Sequence, residues 1–245
     1  MLESCVDSLC SARAAVAGGA DRLELCSALC VGGLTPYGEL LYAIRQETDI
    51  PIRCLMRPRP GDFLYTREEV DLLVAQIAAL RSRGADGFVI GALQKDGSLD
   101  VETMARLIEA CGDTGITLHR CIDVSCNIEE TYLVAGRLGV DTVLTSGGQA
   151  NCLAGLPKIQ KLLTLQEENH GPEVLIGAGV NAQVIRTFRE KCPQSRAFHM
   201  SGRKNIDSQM VFRQEGIPMG LPGLPEWEIP QTDEWLVRQA KAELK

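Results

Sequence analysis

The sequence predicts an α/β fold: a single (β/α)8 TIM barrel with a C-terminal extension, the barrel core spanning about residues 1–203 and the extension 204–245. Three observations predict it. Eight short β-rich runs alternate with helical patterns along the 245 residues. Their starts recur about every 28 residues, the length of a strand, a helix and two short loops. No G-x-G-x-x-G follows the first run, which removes the main support for an open dinucleotide-binding sheet. Alternating β and α units imply a parallel sheet, and eight units in this length favour closure into a barrel.

The runs lie near Leu2–Val6, Arg22–Ser27, Ile52–Arg57, Gly87–Ala92, Ile116–Asp123, Asp141–Ser146, Glu173–Ala178 and Arg196–Ser201. Between them, Thr66-Arg67-Glu68-Glu69 reads as a capping box, in which a Thr oxygen and a Glu three positions on satisfy orphan N–H groups. Val70, Leu73, Val74, Ile77 and Leu80 then repeat at helical spacing, and Gly84 suits the C′ position. Asn127 with Glu130 opens another helix, Pro157 suits an N1 position, and Asn181 caps Val184–Phe188. A weak repeat, Gly19-Ala20-Asp21, Gly84-Ala85-Asp86 and Gly139-Val140-Asp141, precedes the second, fourth and sixth strands. Turn chemistry accounts for each copy, with Gly supplying positive φ, but not for their shared phase on alternate strands. The Pro/Gly-rich stretch Gly216–Thr232 leads to a terminal helix from Asp233.

Charged residues at 23% and hydrophobic residues at 45% are close to globular averages and exclude wholesale disorder. A net charge of −7 argues against a general binder of nucleic acid or anionic membranes. No apolar run reaches the ~18 residues of a membrane span. The opening Met1-Leu2-Glu3-Ser4-Cys5 lacks the basic and apolar regions of a secretory signal, so a cytoplasmic protein is expected. Ten cysteines carry no C-x-x-C spacing, so zinc-ribbon and thioredoxin readings lack their motif. In a reducing compartment their default is the free thiol.

Strand side chains alternate, and parity sorts them into helix-facing and barrel-facing sets. The helix-facing sets must be apolar, so the polar sets point inward: Glu3, Cys5 and Asp7; Arg22, Glu24 and Cys26; Arg53, Leu55 and Arg57; Thr117, His119, Cys121 and Asp123; Ala197, His199 and Ser201. Barrel interiors are usually filled by branched aliphatics. Buried charges are costly unless paired, so Glu3, Glu24, Arg53 and Arg57 form either a structural salt-bridge network or part of a site. His119 and His199 with Asp123 and two thiols, at the strand ends where barrel enzymes work, favour a site.

These residues resemble the CutC family of copper homeostasis proteins. The likeness is carried by Glu3-Ser4-Cys5-Val6-Asp7-Ser8, Gly19–Cys26, Gly32-Gly33-Leu34-Thr35-Pro36, Arg57–Tyr65, His119-Arg120 with Asp123, Leu144-Thr145-Ser146-Gly147 and His199-Met200-Ser201. It runs from Glu3 to about Gly220. The resemblance implies a cytosolic barrel that forms homodimers or higher oligomers such as homotetramers, associated with copper tolerance. It also implies Cu(I) binding by two cysteines, which by motif are Cys5 and Cys26, and Cu(I) is a soft ion that selects thiolates. Cys121 stands where the family more often has a small residue and carries no implied role. Cys10, Cys30, Cys54, Cys111, Cys126, Cys152 and Cys192 read as core or surface thiols.

Two readings follow. In the first, copper is held at Cys5 and Cys26 for buffering or delivery. That site needs no Arg57, His119, Asp123 or His199. In the second, the barrel is an enzyme acting on a small anionic metabolite, phosphorylated or carboxylate. His119 and Asp123 are then the acid/base candidates, with Glu24 or Glu3 as a second carboxylate. Arg57, His199, Ser201, Gly177 and Gly179 are the anion-binding candidates, Arg57 through a bidentate fork and the glycines through backbone N–H groups at strand ends seven and eight.

Overall fold

The structure, a computed structural model, describes residues 1–221 and 223–245. Eight parallel strands close into a barrel in chain order: β1 (Leu2–Val6), β2 (Arg22–Leu25), β3 (Ile52–Leu55), β4 (Gly87–Ile90), β5 (Gly115–Leu118), β6 (Thr142–Thr145), β7 (Glu173–Ile176) and β8 (Ala197–Met200). The helices between them are α1 (Leu9–Ala17), α2 (Gly38–Arg45), α3 (Arg67–Arg81), α4 (Val101–Cys111), α5 (Ile128–Arg137), α6 (Leu156–Asn169) and α7 (Ala182–Lys191). β1 coincides with its predicted run, and the other seven strands are shorter than theirs, mostly because the run continues into the loop that forms the barrel mouth. The helix signals stand close to where the sequence puts them. Thr66 and Glu69 form the capping box of α3, and Val70, Leu73, Ile77 and Leu80 are its buried face. Asn127 and Asn181 cap α5 and α7. Pro157 is the second rather than the first residue of α6, and Gly84 lies two residues beyond the C-cap of α3, Ser82.

The Gly-x-Asp repeat has a tertiary cause. Gly19, Gly84 and Gly139 turn the chain with φ of +91°, +93° and +87°. The Asp that follows reaches sideways to the preceding strand of the barrel. Asp21 Oδ2 accepts from Leu2 N at 2.7 Å, Asp86 Oδ2 from Ile52 N at 2.7 Å and Asp141 Oδ2 from Ile116 N at 2.6 Å. Each carboxylate thus stitches the start of an odd strand to its even neighbour, which explains the phase. Each also meets a cation, namely Lys241, Arg45 and Arg53.

The extension contains two strands that the sequence does not announce. β9 (Arg203–Asp207) and β10 (Glu228–Thr232) pair antiparallel outside the barrel. Thr232 ties this ribbon down, its N–H donating to Ser11 Oγ and its hydroxyl to Ser201 O. Asp233 then caps the terminal helix α8 (Glu234–Ala242) through the N–H groups of Trp235 and Leu236. α8 buries Val237 and Ala240 completely, and a Cβ at Gly18 would stand 2.6 Å from Val237 Cβ, so the end of α1 approaches α8 at backbone distance.

Candidate functional site at the barrel mouth

Strand register assembles one wall of the site. In the β1–β2 pair Glu3 stands opposite Arg22 and Cys5 opposite Glu24, and across the barrel seam Glu3 stands opposite His199. Glu3 is completely buried. Its Oε2 accepts from Arg22 Nε at 2.5 Å and its Oε1 lies 2.7 Å from His199 Nδ1. Burial alone would raise the Glu3 pKa, but the His199 hydrogen bond and the Arg22 charge bring it down to about 2. With Nδ1 committed to a carboxylate, His199 presents Nε2 to the other side, where Glu24 Oε2 lies 3.8 Å away. The sulfur of Cys5, a carboxylate oxygen of Glu24 and a ring nitrogen of His199 all lie within 4.8 Å of one another. Burial opposes a charged His199, yet Cys5, Glu24 and Glu3 outweigh it and hold its pKa well above the ordinary value. The Glu24 carboxyl is raised by burial and by Glu3.

Cys26 sits just behind this group. It is fully buried in a small cluster with Cys5, Leu55 and Val89, and its thiol is 3.6 Å from Glu24 Oε2. Burial, then Glu24 and Cys5, push its pKa well above that of a free thiol.

The opposite wall comes from β3, β5 and the loops after them. His119 follows the last residue of β5, and its Nδ1 accepts from Cys121 N at 3.2 Å. That bond leaves the ring proton on Nε2, and Nε2 is buried without a partner. Burial and the nearby Arg57 charge lower the His119 pKa to about 3, so the ring is a neutral N–H donor. Gly91 makes room for it, since a Cβ there would stand 2.5 Å from His119 Cε1. Phe63 packs on the imidazole with ring centroids 4.8 Å apart and lies 5.2 Å beneath the Arg57 guanidinium. Between the walls is a cavity of about 290 Å³ lined by Cys5, Glu24, Arg57, Phe63, His119 and His199 among others.

The CutC family model matches residues 1–203, the whole eight-stranded barrel. The chain belongs to the CutC family. It is 37% identical to a human copper homeostasis protein cutC homolog over 244 residues, covering 99% of this chain and 88% of the relative. It is 34% identical over 246 residues to the CutC family protein of Aliivibrio fischeri, covering 100% of this chain and 98% of the relative. The solved CutC of Streptococcus agalactiae shares the fold with a TM-score of 0.74 and 23% identity, over 82% of this chain and 98% of that one.

The family motifs converge on the mouth, but not every residue predicted from them does. The expectation that parity carries Thr117, His119, Cys121 and Asp123 inward together is corrected. β5 ends at Leu118, and a 3-10 helix, Arg120–Val124, begins after His119. A two-residue alternation does not survive a helical turn. Cys121 therefore turns into the outer hydrophobic core. Asp123 becomes a brace: Thr145 Oγ1, Ser146 N, Ser146 Oγ and Gly148 N all donate to it, and Arg120 pairs with it at 2.7 Å. Its lone pairs are spent on fixing the loop after β6, and it does not line the cavity.

The Arg57 fork is likewise engaged. Its terminal nitrogens donate to Val31 O, Gly33 O and Gly61 O, clamping the CutC loops after β2 and β3, and only the buried Nε lacks a partner. Gly177 spends its N–H on Thr145 O and stands outside the lining, whereas Gly179 and Ser201 line the cavity. Arg53, the third member of the expected network, instead bonds Thr117, Thr142 and Asp141, away from the mouth. The sequence reading missed Phe63 and Arg203 as lining residues. Phe63 stands inside the Arg57–Tyr65 motif and was legible there. Arg203 has no signal except its place just beyond β8.

Proposed function

We propose that the protein is a copper homeostasis protein that takes Cu(I) at the C-terminal mouth of its barrel. The observation that carries this reading is the convergence of the Cys5 sulfur, His199 and Glu24 within 4.8 Å in a chain of the CutC family. The donor set suits the ion: Cu(I) prefers sulfur and accepts imidazole, while a carboxylate is a hard and weaker partner. Cys5 and His199 are accordingly the principal ligands. Metal–thiolate bonds of ~2.3 Å let one ion bridge donors about this far apart. Glu3 is the supporting partner, holding Nδ1 so that Nε2 faces the ion. Cys26 is the second thiol, and it joins when its proton, now shared with Glu24, is given up on metal binding.

Ten free cysteines support a reducing, cytoplasmic setting. No helix among the described residues is long and apolar enough to cross a membrane. Exposed Val211, Phe212 and Met219 in the extension support self-association into a homodimer or homotetramer.

The test is an anaerobic Cu(I) competition titration against a chromogenic chelator. Wild type should bind one tight equivalent. Cys5→Ser and His199→Gln should each weaken it at least tenfold, and Cys26→Ser should weaken it as well. Copper spread over Cys10, Cys30 and Cys126, the exposed thiols, and indifferent to Cys5→Ser would overturn the reading.

A further inference from the structure

The wall opposite the thiols presents unpartnered N–H donors, His119 Nε2 and Arg57 Nε. His119 is 4% exposed, lines the cavity, is fixed in one tautomer by Cys121 N, and carries a buried, unpartnered Nε2–H. Arg57 carries a full positive charge whose terminal nitrogens meet only backbone carbonyls, and among the described residues it has no carboxylate partner. Its Nε–H is also buried and unpartnered. A buried donor without an acceptor costs ~1–3 kcal/mol, and a partly buried guanidinium without a counter-charge costs more. Phe63 lies against both groups, 4.8 Å from the imidazole and 5.2 Å from the guanidinium carbon, and all three residues line the same cavity.

We propose that this wall binds the carboxylate of a small organic acid, one oxygen on His119 Nε2–H and the charge neutralised by Arg57. Two single N–H donors match a planar monoanion. A phosphate dianion would want a cluster of backbone N–H groups and would face Glu24 across the cavity. The apolar face of Phe63 suits the carbon part of the acid, and a cavity of about 290 Å³ limits it to a metabolite below drug size. Arg203, exposed at the rim, adds positive charge on the way in. The site does not rest on the copper reading, because neither His119 nor Arg57 belongs to the Cys5, Glu24 and His199 group.

The experiment uses the full chain, stripped of metal by a chelator, with pyruvate, acetate and inorganic phosphate as probes. Binding is read by calorimetry and by the 15N-edited NMR signal of the His119 Nε2–H, which is assignable because the chain has only three histidines. Pyruvate and acetate should shift that signal and bind more tightly than phosphate. His119→Phe should weaken pyruvate at least tenfold, and Cys10→Ser, at an exposed thiol outside the cavity lining, should leave it within twofold. If His119→Phe fails to fold, the wild-type signal still decides. No shift with either carboxylate at millimolar concentration overturns the proposal, and so does phosphate binding tighter than both. A His119→Phe variant that loses pyruvate but keeps its copper equivalent separates the two sites, since His119 is outside the Cys5, Glu24 and His199 group. A protein that binds copper but no carboxylate removes this proposal and leaves the copper reading standing.

Discussion

Glu3 is where stability and site chemistry meet, and Glu3→Gln tests both. The carboxylate is fully buried between Arg22 and His199, at 2.5 and 2.7 Å. Burial pushes its pKa up, but those partners prevail and hold it at about 2 instead of 4.5. At ~1.4 kcal/mol per pH unit this displacement is worth about 3 kcal/mol at neutral pH. That agrees with the ~3–5 kcal/mol expected when one member of a buried pair is removed and its partner left unpaired. With an unfolding entropy of ~2 cal/mol/K per residue, the melting temperature should fall by about 6 °C. The sign with pH follows from the direction of the shift. A depressed carboxylate stabilises the fold above its unfolded pKa, and the contribution is lost as the pH falls through the folded value. The gap between wild type and Glu3→Gln should therefore be full at pH 7 and narrow below about pH 4.5. The same variant removes the negative charge that holds His199 Nδ1 and should weaken Cu(I) by about 10–100-fold, the usual cost of losing a ligand's supporting partner. Calorimetric melting at several pH values and the chelator competition measure the two effects. A gap under 2 °C at pH 7, or one that stays constant into acid, would refute the ion-pair argument.

Other outcomes follow from the same geometry. In native protein at pH 8, Ellman's reagent should react rapidly with Cys10, Cys30 and Cys126, and far more slowly with Cys54 and Cys111, whose thiols burial pushes up to about 12; uniform reaction of all ten would contradict that burial. Asp86→Ala should cost about 1–3 kcal/mol by orphaning Ile52 N and releasing Arg45, read as a lower denaturation midpoint with faster amide exchange at Ile52. Asp123→Ala should destabilise the loop after β6 by a similar ~1–3 kcal/mol while leaving Cu(I) affinity within a few-fold, since Asp123 does not line the cavity; a loss of copper comparable to Cys5→Ser would restore it to the site. Replacing exposed Val211 and Phe212 by Asp should shift the proposed oligomer to a smaller species in light scattering; an unchanged mass would contradict self-association through these side chains.

The sequence by itself determined the architecture. Eight β-rich runs, their spacing, and caps such as Thr66 with Glu69 are local signals, and local signals survive folding because period and capping are properties of a few adjacent residues. It also determined which residues could carry chemistry, since parity on β1, β2 and β8 put Glu3, Cys5, Glu24 and His199 on the inner face. The tertiary structure decided where each of them stands and what it touches. Only the register across the barrel seam, which joins residues 196 positions apart, placed His199 against Glu3 behind the cavity and left Glu24 on its wall. The 3-10 turn after His119 removed Asp123 and Cys121 from the mouth, because parity holds only while the chain remains extended. The Arg57 clamp depends on backbone carbonyls of two loops, and backbone acceptors leave no mark in a sequence. The phase of the Gly-x-Asp repeat was visible in the sequence. Its reason, a carboxylate reaching to the neighbouring strand, exists only once the barrel has closed.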